Sequence, residues 1–111
     1  MIKSAGYRIG PFEVESALLT HPAVAEAAVV GKSDPARGQL VKAFVVLRPG
    51  YADSPALRAE MTEAARRGVG AHAWPREIEI VSVLPKTITG KIQRFVLREH
   101  DVAQPAGRPA P

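Results

Sequence analysis

A chain of 111 residues has room for one domain with one modest core, and 46% hydrophobic against 23% charged residues is globular rather than disordered composition. With no cysteine it can form no disulfide, thiolate metal site or cysteine nucleophile, and no apolar run approaches the ~20 residues of a membrane-spanning helix. A net charge of +4 points to an anionic partner; the basic residues form no run and are not interleaved with aromatics, which favours a phosphorylated small molecule over nucleic acid.

The start, MIKSAGYRIG, lacks the apolar stretch of a signal peptide, so the expected location is cytoplasmic. Residues 2–9 read as one short strand with Gly6 where something approaches the backbone. Gly10-Pro11 opens a helix, since proline suits the first helical position. Val14, Ala17 and Leu18 form its apolar face, and His21-Pro22 ends it. Residues 24–30 and 40–47 are β-branched and apolar, and read as an antiparallel pair joined by a longish polar loop.

Ser54-Pro55 gives a cap and a second helix start. Leu57, Met61, Ala64 and Ala65 share its apolar face, and Gly68 and Gly70 stop it. Residues 77–83 alternate as a half-exposed strand. A polar loop, KTITGK, leads to a last helix with Ile92, Phe95 and Val96 on one face. From about Val102 the tail has too little apolar content to pack, so residues 102–111 are expected to be disordered. The order βαββαβα predicts a small α+β domain over residues 1–101, a short antiparallel sheet flanked by about three helices.

Most chemistry sought in the residues is absent. The three histidines, His21, His72 and His100, lack metal-ligand spacing, so no metal site is expected. No serine stands in a GxSxG setting. Glu13/Glu15 and Glu77/Glu79 read as ordinary helix-start and strand-surface charges. Thr89-Gly90-Lys91 is not a phosphate-binding P-loop, because Ile92 stands where Ser or Thr is needed and the upstream glycine is missing. Lys86 and Lys91 nonetheless flank a hydroxyl-rich loop with a helix expected to begin beside it, an arrangement that suits an anion. A solvated capping loop is the heavier reading of those residues taken alone. Ser4-Ala5-Gly6-Tyr7-Arg8 offers small residues, a flat ring and a bidentate cation; an edge strand with no ligand explains it equally well.

Together these segments resemble the C-terminal domain of the adenylate-forming (AMP-binding) superfamily. SAGYRIGPFEVE resembles the motif after the interdomain hinge, and LPKTITGKIQR the terminal lysine motif. HPAV, DPARGQLVKAFVVL and WPREIEIV between them are most similar to the medium-chain acyl-CoA synthetase branch. The likeness spans residues 2–99. It implies a two-step reaction: a carboxylate and ATP form acyl-AMP and pyrophosphate, then coenzyme A displaces AMP. It also implies a small domain that rotates between the steps.

On that resemblance Lys91 takes the adenylation-lysine position. Ala5, Gly6 and Tyr7 would line the pantetheine passage, and Arg8 would contact nucleotide or coenzyme. Arg37, Arg66, Trp74, Pro75 and Arg76 would contact coenzyme A. GVGAHAW departs from the family by lacking a proline and a tyrosine before Pro75, and Ala5 replaces a common serine. Mg²⁺, the ATP-phosphate loop and the acyl pocket are expected on a larger N-terminal domain, the implied partner, so the chain alone is expected not to adenylate. The alternative is a free-standing, non-enzymatic lid-like module that binds coenzyme A or regulates an adenylating partner.

Overall fold

The chain runs through β1 (Ile2–Ser4), β2 (Tyr7–Ile9), α1 (Pro11–Leu18), β3 (Val24–Asp34), β4 (Gly38–Leu47), α2 (Pro55–Val69), β5 (Glu77–Ile80) and α3 (Arg94–Ala103). The computed structural model describes residues 2–4, 6–36 and 38–103; the side chains of Tyr7 and of residues 99–103 lie outside that description. The expectation of disorder from Val102 meets α3 running to Ala103, and residues 104–111 lie outside the described residues.

The expected antiparallel pair is the centre of the sheet, and it is longer than its apolar runs. β3 and β4 pair from Val24↔Leu47 to Asp34↔Gly38, in one register from Glu26↔Val46 onward. The expected long loop is therefore a tight turn, in which the Asp34 carboxylate accepts the Ala36 N–H at 3.2 Å. β4 pairs with β3 along one edge; its other edge meets β1 at Ser4↔Gly38 and β5 from Lys42↔Glu77 to Val45↔Ile80. β5 runs parallel to β4, so the sheet is antiparallel except at that join. The single strand expected over residues 2–9 is a hairpin, with β1 and β2 antiparallel from Ile2↔Ile9 to Ser4↔Tyr7. Gly6 has φ +83°, which non-glycine residues rarely adopt, so the chain reverses there rather than continuing.

β3 and β4 are buried on both faces, which divides the core in two. On one face Val29, Val41, Ala43 and Val45 pack against Val14, Ala17 and Leu18 of α1 and Leu57, Met61 and Ala65 of α2. On the other, Ala28, Val30 and Phe44 pack against Leu84 and Leu97, with Ile92 beside them. A bulge between Val24 and Glu26 shifts the alternation. Val24 and Ala27 thereby join the α1–α2 side. Of the face expected for the last helix, Ile92 packs on the second core ahead of α3 while Phe95 and Val96 are exposed, and among the described side chains of α3 it is Leu97 that is buried.

Ser54 caps α2 as its sequence implies, its hydroxyl accepting the Leu57 N–H at 3.0 Å. Gly70, with φ +89°, ends the helix. Gly68 lies inside it, which corrects the expected stop. Its role is contact: a Cβ there would stand 2.6 Å from the Cβ of Ala17, so a missing side chain lets α1 and α2 approach. Among the described residues no helix is long and apolar enough to cross a membrane.

Charges expected on the surface are partly internal. The alternation of β5 turns Ile78 and Ile80 toward the first core, while Glu77 and Glu79 hold the buried amines of Lys32 (3.1 Å) and Lys42 (3.0 Å). Arg58 of α2 donates to the Ile78 carbonyl at 2.7 Å and grips Asp53 with two 2.8 Å bonds. The hydrogen bond from Arg58 holds the Asp53 carboxyl below its ordinary value.

Two outcomes are expected. Gly68→Ala should lower stability to urea by about 1–3 kcal/mol through overpacking against Ala17, although helix propensity alone favours alanine by about 1 kcal/mol. Asp53 binds its proton more weakly folded than unfolded, so its contribution is complete above the ordinary aspartate pKa of about 3.9 and is lost as pH falls through the lowered folded value. Both partners are part-exposed, so Asp53→Asn should cost about 0.5 kcal/mol at neutral pH. That difference should shrink as pH falls below the ordinary aspartate range in the same denaturation experiment.

Candidate functional site

The lysine loop is a small closed hairpin rather than the start of a helix. Lys86 and Ile92 form an antiparallel bridge, Thr87 N–H donates to the Lys91 carbonyl at 2.8 Å, and Gln93 N–H donates to the Pro85 carbonyl at 2.9 Å. Inside it, the Thr87 hydroxyl accepts the Lys91 N–H at 3.1 Å and lies 2.9 Å from the Thr89 hydroxyl. Gly90 turns the chain at φ +86°. Lys91 is exposed, and its ammonium has no hydrogen-bond or ion-pair partner among the described residues. The expected helix start beside Lys91 is corrected: α3 begins at Arg94, so its first amides lie further along the chain than Lys91.

This loop sits beside β3. Lys86 pairs with Glu26 on that strand. Arg94 bonds Glu15 of α1, its Nη2 lying 2.6 Å from Oε1 and 2.5 Å from Oε2, with Nε 3.2 Å from Oε2. The Glu15 Oε2 also accepts the Val29 N–H of β3 at 2.8 Å. A carboxylate read as an ordinary helix-start charge is therefore only 7% exposed and ties three elements together. Its sequence signal is its place beside Val14 and Leu18 on the inward side of α1; Arg94 stood within the terminal motif without an assigned role.

Of the residues expected to meet coenzyme A, Gly6, Arg8 and Trp74-Pro75-Arg76 lie along the other edge of β4. Gly6 is at the hairpin turn and Arg8 is exposed on β2. Ser4 pairs with Gly38, which places the hairpin beside the turn between β3 and β4. Farther along β4, Arg76 N–H donates to the Val41 carbonyl at 2.8 Å and brings Trp74-Pro75-Arg76 to the same edge. Three residues of strand separate Gly38 from Val41, roughly 10 Å of backbone. Ala5 and Arg37 lie outside the described residues, as does the side chain of Tyr7.

Trp74 and Arg76 border a surface depression with Arg58, Thr62 and Ile78. Arg66 lies outside its lining, although helical spacing continues the Arg58–Thr62 stripe to it; Arg66 is half-exposed and pairs with Glu63 at 3.6 Å. Pro75 is buried. The Arg76 guanidinium stands 3.5 Å over the Trp74 ring and donates to the Trp74 carbonyl at 2.9 Å. One indole face is thus covered by the neighbouring arginine. Among the described residues no group of three His, Asp or Glu is placed to hold a metal ion.

A small α+β domain with a lysine hairpin on one sheet edge and a glycine hairpin on the other defines the class. The AMP-binding enzyme C-terminal domain family matches residues 13–91, and the chain belongs to that family. It is 51% identical over 107 residues to the acetyl-coenzyme A synthetase of Bacillus subtilis (strain 168), which covers 96% of this chain and 19% of that protein. It is 52% identical over 106 residues to the human mitochondrial acyl-coenzyme A synthetase ACSM1, covering 94% of this chain and 18% of that one. The structure of a Brucella canis acyl-CoA synthetase superposes with TM-score 0.90 at 57% identity, over 93% of this chain and 19% of that one. The anthranilate CoA ligase AuaEII in complex with anthranoyl-AMP superposes with TM-score 0.84 at 47% identity, over 90% and 19%. The chain therefore spans about a fifth of the length of these relatives.

A Cβ built on Gly90 meets no heavy atom within 4 Å, so its constraint is conformational. Gly90→Ala should speed hydrogen exchange at the Lys91 amide by about 10-fold, an αL cost of roughly 1–2 kcal/mol. Gly90→Asn, which tolerates that backbone better, should fall between.

Proposed function

We propose that this chain is the mobile C-terminal domain of an ATP-dependent acyl-CoA synthetase, supplying the adenylation lysine and part of the coenzyme A site. The observation that carries the reading is the separation of Lys91, beside β3, from the Gly6–Arg8 hairpin and the Trp74–Arg76 segment on the far edge of β4. One chemical step can use one edge and the second step the other, if the domain turns between them. The matched relatives include acyl-coenzyme A synthetases and a CoA ligase bound to an acyl-AMP.

In the first step the substrate carboxylate attacks the α-phosphate of ATP. The exposed Lys91 ammonium contacts both anions, holds them together and offsets the charge that builds up in the transition state. Among the described residues no ion pair occupies that charge. In the second step the thiol of coenzyme A attacks the acyl carbonyl and AMP leaves. Gly6 presents backbone without a side chain beside the pantetheine, and Arg8, Arg37, Arg66 and Arg76 offer charge to its phosphates. The adenine takes the part of Trp74 that Arg76 leaves open, or Arg76 swings from the ring.

Mg²⁺, ATP and the acyl group belong, on this reading, to a larger N-terminal domain of the same synthetase, with which this domain pairs. Exposed Phe12, Val83, Ile88 and Phe95 are apolar surface of the kind such a partner covers. A cytoplasmic location belongs to the same reading. The alternative of an autonomous coenzyme-binding module is tested by titrating the chain alone.

The test is a chimera in which this chain replaces the matching fifth of the Bacillus subtilis acetyl-coenzyme A synthetase. Lys91→Ala should lower acyl-AMP formation by about 10²–10³-fold while thioester formation from supplied acyl-AMP and coenzyme A changes by less than about threefold. Trp74→Ala should show the converse bias. Equal adenylation with and without Lys91 would overturn the proposal.

A further inference from the structure

The lysine loop is held from below by an ion pair that the two-step scheme does not use. Glu15 and Arg94 are far apart in sequence and come from the two end motifs of the chain. The Glu15 side chain is 10% exposed and the Arg94 side chain 21%. Phe12, one turn before Glu15 on α1, lies against the guanidinium, 4.6 Å from ring centroid to the central carbon. Arg94 is thus gripped at its end by a carboxylate and covered on one face by a ring.

Glu15 is itself fixed. Its Oε2 accepts the N–H of Val29 on the outer edge of the sheet, where no further strand pairs with β3 among the described residues. The same oxygen takes Arg94. Backbone of β3, carboxylate, guanidinium and the first residue of α3 therefore form a continuous chain of charge-assisted hydrogen bonds. Only Ile92 and Gln93 lie between Arg94 and Lys91, and neither is loose. Ile92 is bridged to Lys86 and packs against the second core, and Gln93 N–H is bonded to Pro85.

We infer that Glu15 is a positioning residue for Lys91, acting through Arg94 to set where the lysine hairpin stands relative to α1 and β3. The inference rests, for its catalytic meaning, on the reading of Lys91 as the adenylation lysine. Leu97 of α3 and Ile92 ahead of it make apolar contacts with the sheet. They are non-directional. The pair adds direction: a bidentate carboxylate–guanidinium contact fixes both distance and angle. A lysine that must reach two anions at once needs that precision.

The experiment is amide hydrogen exchange by NMR on the full 111-residue chain, comparing the parent with Glu15→Gln, Arg94→Lys and Arg94→Gln. Glu15→Gln and Arg94→Gln should speed exchange at Thr87, Lys91 and Gln93 by about 10-fold or more, with Ala43 and Val45 of β4 within about twofold. Arg94→Lys, which keeps the charge, should recover part of the protection. Uniform acceleration across the chain would make the pair merely structural and overturn the inference, as would an unchanged loop. If Glu15→Gln does not fold, the two Arg94 variants carry the same comparison. In the chimera, Arg94→Gln should lower kcat of adenylation by about 10-fold with KM for ATP within about twofold and the thioester step unchanged. Exchange reads the loop without any catalytic assay. A Lys91→Ala chimera that still adenylates therefore refutes the function while leaving the mechanical coupling to be judged by exchange alone.

Discussion

The pairing of β3 with β4 is the constraint on which the rest of the structure depends. Both strands are buried on both faces, so neither face can be left to solvent and each needs its own cover. α1 and α2 supply one layer; α3 and the Leu84 segment supply the other. In a chain this short that demand consumes nearly every helix. The polar groups of the domain are consequently displaced to the edges of the sheet and to the loops. The groups free to meet a ligand stand there because the faces are taken.

The two edges are treated differently. Along β4, pairing with β1 and β5 assembles residues from the start, middle and later part of the chain within a few strand residues of one another. Along β3 no strand follows among the described residues, and side chains occupy the edge: Glu15 takes the Val29 N–H and Glu26 takes the Lys86 ammonium. Closing a sheet edge with acids also creates anchors for cations. The lysine hairpin is fastened by two of them, Lys86 and Arg94, which leaves Lys91 between them with no ion-pair partner among the described residues.

Internal ion pairs serve a similar ordering role elsewhere. Lys32 and Lys42 come from neighbouring strands and reach Glu77 and Glu79 on β5. Slipping β5 by one residue would turn both acids toward the first core and both isoleucines away from it. Such pairs add little net stability but penalise the wrong register, because an unpaired buried amine is costly. Arg58 adds a further tie by donating to the Ile78 carbonyl.

Much of this was legible in the residues, and for local reasons. Gly10-Pro11 and Ser54-Pro55 mark helix starts by their own backbone and capping chemistry, and the β-branched runs announce the central pair without reference to partners. The resemblance carried by SAGYRIGPFEVE and LPKTITGKIQR likewise needs only order and spelling. What local chemistry could not decide was every feature that depends on a distant neighbour. Gly68 looks like a helix stop until Ala17 is seen against it, and residues 2–9 look like one strand until Gly6 proves to turn. Glu15, Glu77 and Glu79 look like surface charges until Arg94, Lys32 and Lys42 arrive beside them. Phe95 and Val96 share the expected face of the last helix, yet among its described side chains Leu97 is the one buried, because α3 meets the second core through that residue. The sequence by itself determined the element types and the family; only the tertiary structure decided burial and pairing, since those are properties of two segments at once.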